Sequence, residues 1–257
     1  GLFYQRKAGD CLQPARVGPK QAAQLRSEIG NAAFEAQCQQ NPPPMGSGGF
    51  DLTILRRYEV PPEAFEHIFF SVDVATIANA GDYSVCTIWG YLEGNFYLLD
   101  LWRKQVTVPQ LRRAILELDH AWTPSIIIIE AIGSGKALCQ DLQEVLGNYV
   151  VPYEPEANKA HRFEAVTLLM EKGRVWLPMS APWLEPLLKE LLAFPNGKHD
   201  DQADSISQML FYWQRAVEFA RFRGNPKGGS RRVARDNVAT LEARMYTIPT
   251  RTMPDLW

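Results

Sequence analysis

HIFFSVDVA at residues 67–75 and SIIIIE at residues 125–130 are two short apolar segments that each contain one carboxylate. Both are rich in β-branched or aromatic residues, which predicts two buried strands of a sheet. A carboxylate in a buried strand is costly unless something pairs with it. Because both strands carry one, Asp73 and Glu130, the pattern predicts a shared counter-ion.

A third acidic segment, HDDQAD at residues 199–204, opens a long amphipathic stretch. Residues three or four positions apart share a helix face, so Asp201 and Asp200 can each lie beside Asp204. Asp200 could instead cap the helix by accepting hydrogen bonds from its first N–H groups. Converging carboxylates without a cysteine and histidine cluster are typical of sites for a hard cation such as Mg²⁺ or Mn²⁺. We interpret the three segments as a metal-dependent centre that cleaves phosphodiesters.

The composition is that of an ordinary globular protein. Of 257 residues, 46% are apolar and 22% are charged, and the net charge of −2 gives no global indication of a nucleic-acid partner. The four cysteines form no CxxC pair, which favours free thiols in a reducing cytoplasm over disulfides. No apolar run approaches the roughly 18 residues of a membrane span, and the N-terminus has no signal-peptide pattern. We therefore expect a cytoplasmic protein without a membrane partner.

Three regions of the chain differ in composition. Residues 1–60 are poor in apolar residues, with one predicted helix at about 20–36 followed by a proline-rich and then a glycine-rich connector. Residues 61–223 have the periodic apolar pattern of a compact domain. Residues 224–257 contain a Gly/Pro/Ser-rich stretch with clustered arginines, which predicts a flexible basic tail. Arg231 and Arg232 in this tail are candidate phosphate contacts.

The central region predicts a mixed sheet flanked by helices. The predicted strands are 67–75, 84–92, 96–103, 126–130 and 149–153, and 174–178 is a short extended piece. The predicted helices are 108–122, 134–146, 158–172, 182–193 and 200–222. Tight turns join the first three strands into an antiparallel meander, and helices separate the later ones, as parallel strands require. The predicted fold class is therefore α/β, a three-strand antiparallel meander plus parallel strands.

This order of elements, with acids on the first strand, the fourth strand and a late helix, resembles the ribonuclease H-like fold. Within that fold the chain is similar to the C-terminal nuclease domain of the terminase large subunits of tailed phages and prophages. The first acidic motif of the family is similar to Ser71-Val72-Asp73 with Gly81-Asp82-Tyr83-Ser84, and the second to Ile129-Glu130 with Gly133-Ser134-Gly135. The segment between the second and third motifs is similar to Lys172-Gly173-Arg174-Val175 with Leu177-Pro178. The third motif is similar to Phe194-Pro195-Asn196-Gly197 with HDDQAD. Asp82 itself is predicted to be a turn residue.

The resemblance implies an endonuclease that cuts concatemeric double-stranded DNA during phage genome packaging in the bacterial host. It implies two Mg²⁺ or Mn²⁺ ions, bridged by Asp73 and completed by Glu130 and Asp201, with Asp204 as a further possible ligand. The implied protein partners are the terminase small subunit and the portal protein of the prohead.

Three other residues have candidate roles with ordinary alternatives. His199 would assist proton transfer, or it is a loop residue without a catalytic role. Lys159 and Arg162 share a helical face and would contact DNA phosphates, or they simply face solvent.

Two alternative functions remain open. The chain could be another ribonuclease H-like nuclease, such as a resolvase or an RNA–DNA hybrid nuclease. It could also be a non-catalytic docking module of a packaging motor, in which the acids pair with arginines or hold a structural cation.

Terminase large subunits also carry an N-terminal ATPase domain, and residues 1–60 are expected to be the linker that follows it. Gly135-Lys136 resembles the Gly-Lys pair of a phosphate-binding loop. Such a loop needs a glycine five positions before that pair and a serine or threonine after the lysine, but this chain has Glu130 and Ala137 there. We therefore expect no nucleotide site at this segment and no ATPase site in this chain.

Overall fold

The computed structural model describes residues 16–29, 34, 37–39, 51–75, 83–155, 159–195, 197–223 and 251–252. The chain divides into two compact units, Gly1–Gly49 and Phe50–Trp257. The described part of the first unit contains helix α1 (Pro19–Ile29), which begins with a proline, a residue suited to the first helical turn. Most of residues 30–36 of the predicted helix, and the connector at 40–50, lie outside the described residues.

The described part of the second unit contains strands β1 (Arg56–Tyr58), β2 (Ala64–Phe65), β3 (His67–Asp73), β4 (Ser84–Leu92), β5 (Asn95–Lys104), β6 (Ile126–Glu130), β7 (Val150–Tyr153), β8 (Val175–Pro178) and β9 (Arg251–Thr252). Its described helices are α2 (Val108–Trp122), α3 (Ser134–Leu146), α4 (Lys159–Glu171), α5 (Leu184–Ala193) and α6 (Asp201–Arg223). Seven strands form one sheet in the order β1-β8-β5-β4-β3-β6-β7, and β2 pairs with β9 separately. No helix in the described part of the chain has the length and apolar character to cross a membrane.

The strand directions confirm the predicted α/β fold class. β3, β4 and β5 are antiparallel neighbours, whereas β6 is parallel to β3 and β7 is parallel to β6. The turn between β4 and β5 consists of Glu93 and Gly94, which have positive φ values of 49° and 79°. Two positive φ values are the geometry of a two-residue hairpin turn whose twist matches that of the strands.

The sheet extends further than the sequence predicts. The short segment Val175–Pro178 is a strand that pairs in parallel with β5, and Arg56–Tyr58 pairs in parallel with it at the sheet edge. Arg56–Tyr58 therefore contributes to the sheet, although the sequence analysis places it in the extension. In the predicted flexible tail, Arg251–Thr252 pairs with Ala64–Phe65, while residues 224–250 and 253–257 lie outside the described residues.

The isoleucine run at 126–129 shows how the sheet is covered on both faces. Ile126 and Ile128 pack into a core formed with α4, α5 and α6. Ile127 and Ile129 pack into a second core formed with α2 and α3. Side chains alternate between the two faces of a strand, so a wholly apolar strand requires helices on both sides.

Gly135, in the first turn of α3, lies where the helix passes the end of β6. A Cβ atom at this position would be 2.0 Å from the backbone oxygen of Glu130. Real carbon and oxygen atoms cannot approach so closely, so only glycine permits this contact. Gly135 is thus explained by the packing of α3 against the strand that carries Glu130, and Gly133 by its positive φ of 54°.

We predict that Gly135→Ala lowers the free energy of unfolding by about 1–3 kcal/mol, the usual cost of forcing an extra group into a packed position. Urea denaturation followed by circular dichroism would measure this loss. Ser134→Ala is the matched control, because the Ser134 hydroxyl makes only a long hydrogen bond of 3.4 Å to the carbonyl of Ala75. Equal stability of Gly135→Ala and the unmodified chain would show that α3 does not need this close approach.

Candidate metal centre

Strand register brings Asp73 and Glu130 to the same edge of the sheet. β3 and β6 are parallel, with Ser71 opposite Ile128 and Val72 opposite Ile129. One position further along this register, Asp73 lies opposite Glu130. Both carboxylates follow the alternation of the residues that face α6, because Phe69 and Ile128 pack on that side. The two predicted strand acids are therefore adjacent.

A buried polar network holds helix α6 against β3. The Ser71 hydroxyl donates to the Ser205 carbonyl at 2.7 Å, and the Ser205 hydroxyl donates to the Ser71 carbonyl at 2.8 Å. Gln208 donates from Nε2 to the Ser71 hydroxyl at 3.1 Å and lies 3.3 Å from the Val72 carbonyl. Small serine side chains let the helix approach the strand closely, and each buried polar group has a partner. The first turn of α6 is thereby placed beside Asp73.

The Glu190 side chain of α5 caps the N-terminus of α6. Its Oε1 atom accepts from the backbone N–H groups of Gln202 at 2.6 Å and Ala203 at 3.1 Å. Asp200, which the sequence analysis considered as the cap, instead directs Oδ2 to Lys159 Nζ at 3.0 Å. A carboxylate at a helix N-terminus stabilises both the free N–H groups and the helix dipole.

Three carboxyl groups at this edge are harder to ionise than usual. The pKa of Asp73 is raised well above its ordinary value by burial and then by the charges of Glu130, Asp204 and Asp201. Burial also raises the pKa of Asp204 to about 6, although Lys159 opposes the shift. The pKa of Asp201 is raised by burial and by the charges of Glu190 and Asp200. The site thus concentrates negative charge that its surroundings do not fully balance.

Two cationic side chains of α4 lie among these acids. Lys159 Nζ pairs with Asp204 and Asp200, and Arg162 Nη2 lies 3.3 Å from Asp204 Oδ1 and 3.9 Å from Glu130 Oε1. Burial lowers the pKa of Lys159, but hydrogen bonding and the charges of Asp204 and Asp200 outweigh it and raise the pKa above its ordinary value. Arg162 is buried, with 2% of its surface exposed, so it does not face solvent as one alternative predicted.

Asp201 lies on the other side of the cluster, toward β5. Its carboxylate accepts a hydrogen bond from the backbone N–H of Tyr83. Arg103 Nη2 and His199 Nδ1 are each 4.0 Å from Asp201 Oδ2, an oxygen that is buried without a hydrogen-bond partner among the described residues. The Tyr83 ring contacts both basic side chains, with the Arg103 guanidinium 3.6 Å from its centroid and the His199 ring edge-on at 5.5 Å.

The carboxylate groups of this site are of the kind that bind a hard cation, although their side chains do not converge on one point. Among the described residues, no three His, Cys, Asp or Glu side chains are already grouped to hold a metal ion. The ion pairs with Lys159 and Arg162 direct carboxylate oxygens toward these cations, which accounts for that arrangement. The chemistry still matches, because the groups of the site are carboxylates and one buried oxygen of Asp201 has no hydrogen-bond partner among the described residues. Burial and the charges of three neighbouring carboxylates also raise the pKa of Asp73.

The structure brings most of the predicted site residues together. Asp73, Glu130, Asp201, Asp204, His199, Lys159 and Arg162 all lie at this edge. Asp82, Arg231 and Arg232 lie outside the described residues. Asp204 shares Arg162 with Glu130, at 3.3 Å and 3.9 Å, whereas Asp201 lies toward β5 with Arg103 4.0 Å away.

The sequence analysis missed Glu190 and Arg103. Glu190 lies in an amphipathic helix and Arg103 at a strand end, positions where charged residues are usually exposed. Nothing near either residue in the sequence indicates that it contacts the first turn of α6. Both were recognisable only after the helices were packed on the sheet.

The sequence matches the family model described as the terminase RNaseH-like domain over residues 70–212. No curated protein is significantly similar to the chain in sequence. The matched range includes Asp73, Glu130, Asp201 and Asp204, and covers more than half of the chain.

Solved structures with a similar fold are large terminases of thermophilic phages. The large terminase nuclease of phage G20c with bound magnesium has a TM-score of 0.51 and 20% identity, covering 67% of this chain and 99% of that one. The large terminase of a second thermophilic bacteriophage has a TM-score of 0.55 and 11% identity, covering 76% of this chain and 52% of that one. The chain thus spans about half the length of this second large terminase, and at these identities the similarity concerns the fold.

We predict that Asp73→Asn stabilises the metal-free protein increasingly as pH rises above about 4, the ordinary pKa of aspartate. A raised pKa means that the native state binds more protons than the unfolded state, so the carboxyl group costs stability at higher pH. Melting temperatures of both proteins in a chelator, from acidic to neutral pH, would measure the growing difference. Asp51→Asn is the control with the opposite sign, because hydrogen bonds from Thr53 lower the pKa of exposed Asp51. A pH-independent difference between Asp73→Asn and the unmodified chain would contradict the raised pKa.

We also predict that Glu190→Ala destabilises the protein more than Asp200→Ala. The first substitution leaves buried N–H donors of α6 without an acceptor, at a cost of about 1–3 kcal/mol. The second removes a partly exposed ion pair with Lys159, worth about 0–1 kcal/mol. Urea denaturation of both variants would rank them, and a larger loss in Asp200→Ala would restore Asp200 as the helix cap.

Proposed function

Because the chain belongs to the family of terminase RNase H-like domains, we propose that it is a metal-dependent endonuclease that cuts concatemeric double-stranded DNA during phage genome packaging. The observation that carries this proposal is the group of carboxylates around Asp73, where burial and then the charges of Glu130, Asp204 and Asp201 raise the pKa of Asp73. A cluster of like charges is unfavourable for the fold alone, so its presence is best explained by a cationic ligand.

The proposed ligands of two divalent cations, Mg²⁺ or Mn²⁺, are Asp73, Glu130, Asp204 and Asp201. The likeness to a phage nuclease described with bound magnesium supports this choice, as does the preference of such ions for carboxylate oxygens. Bound ions of this kind lower the pKa of water and offset the charge that develops on a phosphate during hydrolysis.

The basic side chains of the site, Lys159, Arg162 and His199, have different roles in this proposal. Lys159 neutralises Asp204 and Asp200 in the metal-free protein, and its half-exposed side chain can move to a DNA phosphate once the acids bind another cation. Arg162 is buried and keeps Asp204 close to Glu130, so it positions ligands rather than DNA. His199 is available to hold a proton beside Asp201.

One observation favours a second candidate function, a non-catalytic docking module. The acids do pair with Lys159, Arg162 and Arg103, as that alternative requires. However, the described part of the site has these three cations and six carboxylates: Asp73, Glu130, Glu190, Asp200, Asp201 and Asp204. The excess of negative charge is better matched by additional divalent cations than by a closed set of ion pairs.

The remaining parts of the proposal concern partners. Since the chain spans about half the length of the second phage large terminase, we propose that it acts with an ATPase domain, the terminase small subunit and the portal protein of the prohead, in the cytoplasm of the bacterial host. Arg231 and Arg232, outside the described residues, are proposed as further DNA contacts.

We predict that Asp73→Asn abolishes cleavage while the protein remains folded. Losing a carboxylate that would hold the proposed ions would remove several kcal/mol of transition-state stabilisation, which corresponds to about a thousandfold loss of rate or more. Nicking of supercoiled plasmid in Mn²⁺, with a chelator as the blank, would measure it. An RNA–DNA hybrid substrate in the same assay tests the hybrid-nuclease alternative.

The three acids at the start of α6, Asp200 just before it and Asp201 and Asp204 in its first turn, provide the matched series for this test. Asp204→Ala and Asp201→Ala should both lose metal-dependent nicking, whereas Asp200→Ala should retain it, because the Asp200 carboxylate pairs with Lys159. Calorimetric titration with Mn²⁺ would show weaker binding in the first two variants only. Full activity of Asp73→Asn, or Mn²⁺ binding equal in all variants, would remove the proposed metal centre.

A further inference from the structure

Arg103 occupies the same cross-strand row as Asp73. Asp73 lies opposite Val85 on β4, and Val85 lies opposite Arg103 on β5. Directly opposed residues of neighbouring strands point to the same face, and neighbouring strands are about 4.8 Å apart. Val85 and Leu101 pack on the α6 side, so Arg103 faces that side as well. The arginine is therefore about two strand spacings from the central acid of the site.

The guanidinium of Arg103 is held in place but its hydrogen-bonding capacity is largely unused. It stacks on the Tyr83 ring at 3.6 Å, which fixes its plane. Its ion pairs to Glu190 at 3.8 Å and Asp201 at 4.0 Å are too long for hydrogen bonds. Its Nε atom has no hydrogen-bond partner among the described residues. An arginine that only stabilised the fold would be expected to use its donors, as a guanidinium has five N–H groups in a fixed fork.

Exposure distinguishes Arg103 from the other arginine of the site. The Arg103 side chain is 21% exposed, whereas that of Arg162 is 3% exposed and lies closer to its acid, at 3.3 Å from Asp204. Arg103 can therefore meet a ligand arriving from solvent, which Arg162 cannot do without moving. A phosphate that approaches six carboxylates is repelled by them, so a cation at their edge is needed to admit it.

We propose that Arg103 binds a phosphate of the DNA strand that is cut, and so holds that strand beside Asp73. This inference rests on the proposed nuclease function and adds a DNA-contacting residue to it. The planar fork of arginine suits two phosphate oxygens, and stacking on Tyr83 reduces the entropy lost on binding.

The test is the salt dependence of DNA binding. Arg103→Gln and Arg103→Lys, each combined with Asp73→Asn to prevent cutting, would be titrated onto a fluorescent DNA duplex at several salt concentrations. Arg103→Gln should weaken binding about ten- to hundredfold, the effect of losing a charged hydrogen-bonded contact. It should also reduce the slope of log affinity against log salt by about 0.9, the share of one phosphate contact. Arg103→Lys should keep the slope, because it keeps the charge, and bind with intermediate affinity.

Arg112→Gln is the control, because Arg112 pairs with Asp141 in the α2–α3 layer on the opposite face of the sheet. It should change neither affinity nor slope. In the chain without substitutions, DNA should protect Arg103 from modification by phenylglyoxal, detected by mass spectrometry of the peptide. This second measurement tests whether DNA contacts Arg103 even if Arg103→Gln does not fold.

The outcomes separate this inference from the proposed function. An unchanged salt slope in folded Arg103→Gln, or equal phenylglyoxal modification with and without DNA, overturns the role of Arg103 while leaving the nuclease proposal standing. A chain that neither binds the duplex nor nicks plasmid in Mn²⁺ rejects the proposed function and this inference together.

Discussion

The pair of hydrogen bonds between Ser71 and Ser205 is the contact on which the site depends. Each residue donates its hydroxyl to the carbonyl of the other, so the backbones of β3 and α6 are joined at one register. A shift of α6 by one residue would leave these buried groups unpaired, which is costly. The same contact places Asp204, the residue before Ser205, and Asp201, one turn earlier in the helix, beside the strand that ends in Asp73.

The carboxylates around Asp73 repel one another, so they destabilise the fold that contains them. Burial and then the charges of Glu130, Asp204 and Asp201 raise the pKa of Asp73, while Lys159 and Arg162 pair with Asp204. The surrounding elements tolerate this arrangement because both faces of the sheet are packed with apolar side chains. Strained or repulsive groups persist where the rest of the structure is strong enough to position them.

Helix α6 connects the apolar core with the polar site. Trp213, three turns along the helix, packs against Phe69 and Tyr91 with ring centroids 5.2 Å and 4.4 Å away. The N-terminus of the same helix is held by Glu190 and presents the acids. Mutations in the aromatic cluster should therefore affect the acids through the position of the helix, although they touch none of them.

The sequence by itself determined the three-strand meander, β6, β7, the helices of the central region and the two strand acids, because alternation, helical spacing and turn residues are local signals. It did not determine β1, β2 and β9, whose pairing partners are far away in the chain. A carboxylate at the end of an isoleucine run, Glu130, is conspicuous in the sequence alone. Only the tertiary structure decided which carboxylate caps α6, why Gly135 must be glycine, and that Arg162 is buried whereas Arg103 faces the site. These properties arise from contacts between residues far apart in the chain, and neither composition nor periodicity carries information about such contacts.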